Sequence, residues 1–169
     1  MIAFRPDVYW IEGPWNGKLA ILARPRGEDW LGDEVEGWKK AGVDVVVSLL
    51  TSTEESELGL TSEAEIVKRT GLTYISFPIA DYSVPGSRIP IQQLAAELND
   101  QLSRGACIGV HCRQGIGRSS LFAACVLVTS GESPKNAFAH IERARGRSVP
   151  DTTEQKDWVI SFARDLVTD

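Results

Sequence analysis

Cysteine, histidine and methionine are scarce in this chain: three, two and one among 169 residues. The cysteines, Cys107, Cys112 and Cys125, are odd in number and irregular in spacing. They offer neither a disulfide framework nor the paired ligands of a metal site, and free thiols suit the reducing cytoplasm, which is the expected localisation. Positive charge is also short. Eighteen basic residues face 23 acidic ones, for a net charge of -5. That argues against a nucleic-acid partner, but one basic site on an acidic body can still hold an anion. No run reaches the roughly 18 apolar residues of a membrane span, so no membrane partner is expected. The opening residues 1–10 carry Arg5 and Asp7 and lack the apolar run and cleavage site of a secretory leader. There is no internal repeat and no low-complexity linker.

What is present suits a soluble domain. At 169 residues, 43% hydrophobic and 24% charged, one domain covering 1–169 with one core is expected. Residues 8–11 and 19–23 read as short strands around the turn Gly13-Pro14-Trp15-Asn16-Gly17. Trp30, Leu31, Val35 and Trp38 share one face of a helix over 29–40. The β-branched run 43–50 reads as a buried strand. A helix over 61–70 has a capping box available at Ser62 and Glu65, and 72–79 reads as a strand. A helix over 91–102 stops at Gly105, and a short apolar strand fills 107–111. Helices follow over 118–129, from Pro134, and over 153–166. Strands alternating with helices predict an α/β fold. Its central sheet is mixed but mostly parallel, of about five strands, with helices on both faces.

The informative segment lies between an apolar strand and an apolar helix: His111-Cys112-Arg113-Gln114-Gly115-Ile116-Gly117-Arg118-Ser119. A strand that turns tightly into a helix aims several backbone N–H groups at one point, at the positive end of the helix dipole. Gly115 and Gly117 let the backbone curl and a phosphate approach closely. A thiol beside a helix N-terminus and a cation has its pKa lowered from about 8.5 to about 3.5–7.5, which makes Cys112 a candidate nucleophile. Arg118 can hold two phosphate oxygens with its planar fork. In a chain of this composition, His-Cys-x5-Arg-Ser arises by chance roughly twice in 10,000 sequences.

Residues 111–119 match every fixed position of His-Cys-x5-Arg-Ser/Thr. By this signature the chain resembles the protein tyrosine phosphatase superfamily, and in length and layout it looks most like the small dual-specificity phosphatases. The segment Phe77-Pro78-Ile79-Ala80-Asp81-Tyr82-Ser83-Val84-Pro85 resembles the family's mobile general-acid loop. Val149-Pro150-Asp151-Thr152-Thr153-Glu154-Gln155 resembles the segment that brings a glutamine to the site. The resemblance extends from about Val43 to the C-terminus.

It implies a metal-independent, cofactor-free phosphatase acting through a phosphocysteine on phosphotyrosine, and on phosphoserine or phosphothreonine, in proteins. Cys112 is then the nucleophile and Asp81 the general acid. Arg118 and the backbone of Arg113, Gln114, Gly115, Ile116 and Gly117 hold the phosphate. Ser119 assists the thiolate as leaving group, Gln155 positions the attacking water, and His111 supports the loop. Plainer readings stand beside these: Asp81 as a solvated loop residue, Ser119 as a helix N-cap, His111 as a structural histidine and Gln155 as a surface helix residue. Arg113 reads as an outward-facing charge, and Arg143, Arg145 and Arg147 as a solvated basic face. Two rival classes remain, a phosphate-binding module without turnover and a rhodanese-type sulfur transferase. The intact set of Cys112, Arg118 and Asp81 argues against the first, and Asp81 with the Arg-Ser pair against the second. The sequence does not indicate an oligomeric state.

Overall fold

The computed structural model describes residues 5–168. The opening stretch read as lacking a leader begins at residues 1–4, which lie outside the described residues. The element order is β1 (Val8–Ile11), β2 (Lys18–Leu22), α1 (Leu31–Ala41), β3 (Val45–Ser48), α2 (Ser52–Glu57), α3 (Glu63–Arg69), β4 (Thr73–Ser76), α4 (Arg88–Ser103), β5 (Cys107–His111), α5 (Gly117–Thr129), α6 (Pro134–Arg145) and α7 (Thr153–Thr168). One turn of 3-10 helix, Glu28–Trp30, leads into α1.

The strands form one five-stranded sheet in the order β1-β2-β5-β3-β4. β1 is antiparallel to β2, and the other pairings are parallel. The α/β expectation, mixed but mostly parallel, is met. Alternation along each strand divides the core into two layers. Leu19 and Ile21 of β2 and Val45 and Val47 of β3 face the larger core, with α4, α5, α6 and α7. Leu22 and Val46 face the opposite cluster, with Val35 and Trp38 of α1 and Val67 of α3. β5 lies at the centre. A Cβ on its Gly109 would come within 2.6 Å of the Leu22 side chain, so this strand needs a residue without one.

Two local expectations need correction. The capping box at Ser62 and Glu65 does not form. Ser62 precedes α3 with φ -93° and ψ 4° and makes no side-chain cap. Such backbone does not turn the hydroxyl back on the helix, because an N-cap residue is normally extended. The box forms earlier, at Thr51, which is extended (φ -77°, ψ 162°) and exchanges bonds with Glu54. It starts α2, a helix the sequence reading missed because Ser52–Glu57 has no apolar stripe. α4 also begins three residues before the expected start, with Pro90 in its first turn, where a missing N–H is harmless.

Candidate active site

The parallel strands deliver the site. β3, β4 and β5 run side by side and end together, with Ser48 opposite both Ser76 and His111. In open α/β sheets, binding sites form beyond such carboxyl ends. The chain leaving β3 carries Glu54, that leaving β4 carries Asp81, and that leaving β5 carries Cys112.

Cys112 is buried. The Gly115 N–H donates to its Sγ at 3.2 Å, so the loop curls back over the sulfur. Gly115 makes that curl with φ +71°, a conformation that favours glycine. α5 then begins at Gly117, and every residue from Gly117 to Val128 is buried. A helix so enclosed, packed by α4, α6 and α7, gives the loop a rigid foundation.

Arg118 lies in the first turn of α5 with only 1% of its surface exposed. Glu54 grips its guanidinium through two bonds, Nη1 to Oε1 at 2.7 Å and Nη2 to Oε2 at 2.9 Å. Nη1 also donates to the Ile79 carbonyl at 2.8 Å. Asp81 Oδ1 lies 3.0 Å from Nη2 and accepts from the Tyr82 N–H at 3.0 Å. Burial pushes the Glu54 carboxyl up, but the bonds from Arg118 and Thr51, with the Arg118 charge, outweigh it and hold it below its usual value. Burial likewise lowers Arg118, while Glu54, the Cys112 sulfur and Asp81 raise it more, so it stays cationic.

Below the loop, His111 Nε2 lies 2.8 and 2.7 Å from the two carboxylate oxygens of Glu63. Both residues are buried, and the imidazole stacks on Trp38 with centroids 5.9 Å apart. From the flank, Arg145 Nε donates to the Gly115 carbonyl at 2.8 Å, and its guanidinium lies 4.1 Å from the Tyr9 ring centre. The basic group read as a solvated face thus has one member holding the loop. Arg143 donates to His140 Nδ1 at 2.7 Å.

The remaining expected residues fall into place around this centre. Arg113 does not point freely outward. Its Nη1 donates to Glu57 at 3.4 Å and lies 3.9 Å from Glu54, because α2 presents carboxylates on that side. Gln114 is exposed and Ile116 buried. Ser119 is not an N-cap: the helix starts at Gly117 and its cap position is Ile116. The buried Ser119 hydroxyl has no hydrogen-bond partner among the described residues. Gln155 is not a surface residue. It is fully buried, accepts from the Asp151 and Thr152 N–H groups at 3.1 and 3.2 Å, and donates to the Ser83 carbonyl at 3.1 Å. It thereby ties the start of α7 to the loop that carries Asp81. Glu54 and Glu63 were missed by the sequence reading, and Arg145 was read there as a solvated charge. Only Glu54 had a local signal, the Thr-x-x-Glu pattern of a capping box directly after an apolar strand.

Comparison with known proteins gives the family and the fold. The profile of a family described as "Tc-R-P: Polymorphic toxin system, DSP-PTPase phosphatase" matches residues 22–132, and the chain belongs to that family of the protein tyrosine and dual-specificity phosphatases. It is 33% identical over 117 residues to the zebrafish (Danio rerio) protein tyrosine phosphatase domain-containing protein 1, covering 69% of this chain and 16% of that one. It is 28% identical over 133 residues to cyclin-dependent kinase inhibitor 3 of Rattus norvegicus, covering 76% and 61%. The chain thus spans about three fifths or less of these two relatives. Among solved structures, kinase-associated phosphatase with its catalytic cysteine changed to serine superposes with TM-score 0.88 at 21% identity, over 99% of both chains. Tk-PTP in its active form gives 0.75 at 23% identity, over 95% and 99%. At these identities the superpositions concern the fold.

Proposed function

We propose that this chain is a metal-independent phosphomonoester hydrolase. In this reading it acts on phosphotyrosine, and on phosphoserine and phosphothreonine, of proteins in the cytoplasm, through a phosphocysteine intermediate. One observation carries the proposal: Cys112 Sγ lies under the Gly115 amide while Glu54 and Asp81 flank the guanidinium of Arg118.

In the first step, the Cys112 thiolate forms an S–P bond as the ester P–O bond breaks. Asp81 gives its proton to the departing oxygen, a contribution typically worth about 10²–10⁴-fold. The loop amides and Arg118 hold the three equatorial oxygens, where charge builds. In the second step, a water oxygen forms a P–O bond as the S–P bond breaks. Asp81 takes the water's proton, Cys112 leaves as thiolate with help from the Ser119 hydroxyl, and inorganic phosphate departs. A phosphoryl group taking the Nη2 edge of Arg118 displaces Asp81 from it and frees that carboxyl for the leaving group. Gln155 steadies both loops. The positive field comes from Arg118 and the backbone, so no metal is called for.

The test is turnover of p-nitrophenyl phosphate with EDTA by wild type and Cys112→Ser, followed by phosphopeptides and the phosphoinositide PI(5)P, which a solved structure of similar fold, PTPMT1, holds. Turnover by wild type alone, faster on phosphopeptides than on lipid, is expected. Turnover that survives Cys112→Ser, or lipid hydrolysis outrunning every peptide, would overturn the reading.

A further inference from the structure

Two residues at the start of α7 and just before it, Gln155 and Asp151, lie against the catalytic loop, and they differ in what they leave available. A Cβ on Gly117 would fall 2.9 Å from both Nε2 and Oε1 of Gln155 and would collide with Asp151 Oδ2. The Gln155 amide is already committed to three backbone groups. The Asp151 residue is exposed, and its carboxylate is turned to the Gly117 amide. Its carboxylate presses on Gly117, the first residue of α5. The N–H groups of a helix's first turn have no partner within the helix, and they are the donors a bound phosphoryl group would use.

The charged groups facing Asp151 come from three elements: Asp81 after β4, Arg118 in α5, and Arg147 after α6. Lost solvation, then the like charge of Asp81, push the Asp151 carboxyl above its ordinary value. Arg147, the Gly117 amide and Arg118 oppose that only in part.

We propose that Asp151 is a resident anion of the phosphate cradle, one that takes the Gly117 end of the loop when the site is free and must gain a proton or swing away when a phosphoryl group binds. The proposal rests on the Cys112 loop being the phosphate site. Two anions in one small site disfavour each other's charged forms. The chain with ionised Asp151 therefore binds a tetrahedral oxyanion more weakly than the chain with neutral Asp151, and its affinity falls as pH rises through the Asp151 titration.

The experiment is calorimetric titration with tungstate, a phosphate mimic, at about pH 5 and about pH 7.5. A Cys112→Ser background removes titration of the thiol. Cys112→Ser is compared with Cys112→Ser/Asp151→Asn and Cys112→Ser/Asp151→Ser, each checked by thermal melting. The serine variant separates loss of charge from any new hydrogen bond made by asparagine. Both variants are expected to bind about tenfold more tightly than the parent near pH 7.5, the effect of one pKa unit of coupling, with the gap narrowing as pH falls toward the Asp151 titration. Equal affinities near pH 7.5, with tungstate binding measurable, overturn the role of Asp151 and leave the loop assignment standing. No tungstate binding by any folded form, the unsubstituted chain included, overturns both.

Discussion

Glu54 holds Arg118 edge-on, with two nitrogens meeting two oxygens at 2.7 and 2.9 Å. The pair joins a capping box at the start of α2 to the first turn of α5, 64 residues away. It orients the cation before any substrate arrives, and preorganised charge of this kind need not reorganise during reaction.

Removing that partner strips the buried guanidinium of its two-bond carboxylate and leaves it the single contact with Asp81 and the Ile79 carbonyl. Glu54→Ala is expected to cost about 3 kcal/mol of stability and to reduce kcat/KM by at least tenfold. Glu54→Gln keeps one acceptor and falls between. Denaturant unfolding and steady-state kinetics on the same preparations check this. Stability unchanged in Glu54→Ala would show that the pair is not what holds Arg118.

The depressed Glu54 carboxyl also gives a pH signature. Its folded value lies below its usual 4.5, so its stabilisation is complete above about that pH and is lost as pH falls through the folded value. Melting temperatures recorded downward from pH 6 should fall more steeply for wild type than for Glu54→Gln in the acid range. Parallel curves would remove Glu54 from the acid response.

Arg145 clamps the outer side of the same loop through the Gly115 carbonyl and the face of Tyr9. A hydrogen bond to a charged group contributes about 1.5–3 kcal/mol. Arg145→Ala should therefore lower stability by about that amount and slow alkylation of Cys112 by iodoacetate, as the loop loosens. Arg145→Lys keeps the charge but loses the fork and the stacking, and should recover only part of each. A wild-type alkylation rate in Arg145→Ala would show that the loop holds its shape without the clamp.

Gly117→Ala places a methyl group on Asp151 and Gln155. Overpacking of this kind typically costs about 1–3 kcal/mol. The collision also displaces the segment that ties the Asp81 loop, so turnover should fall further than stability alone implies. The check is kcat for p-nitrophenyl phosphate at a temperature where melting shows the variant fully folded. An unimpaired kcat there would mean the contact is dispensable.

The parts of this protein visible before folding are those whose partners are close in sequence. Cys112, Gly115 and Arg118 stand within seven residues, between an apolar strand and an apolar helix, and that order alone marks an anion site. The runs 43–50 and 107–111 announced buried parallel strands, because side chains covered on both faces are apolar without alternation. Other features had no local trace. Glu63 pairs with His111 across 48 residues and Arg145 with Gly115 across 30, and each looks like an ordinary helix surface charge until the chain is folded. The short helix Ser52–Glu57 was missed for a related reason. It is held by a cap and by Arg118 rather than by an apolar stripe.

By itself, then, the sequence determined the class of chemistry and the alternation of strands and helices, since both depend on residue types at short spacing. Only the tertiary structure decided which charges are buried against which. Three parallel strands ending side by side bring Glu54, Asp81 and Cys112 together from distant segments. The burial of Arg118 between Glu54 and Asp81, and of Gln155 against Gly117, depends on the packing of α5 beneath the sheet rather than on any neighbour along the chain.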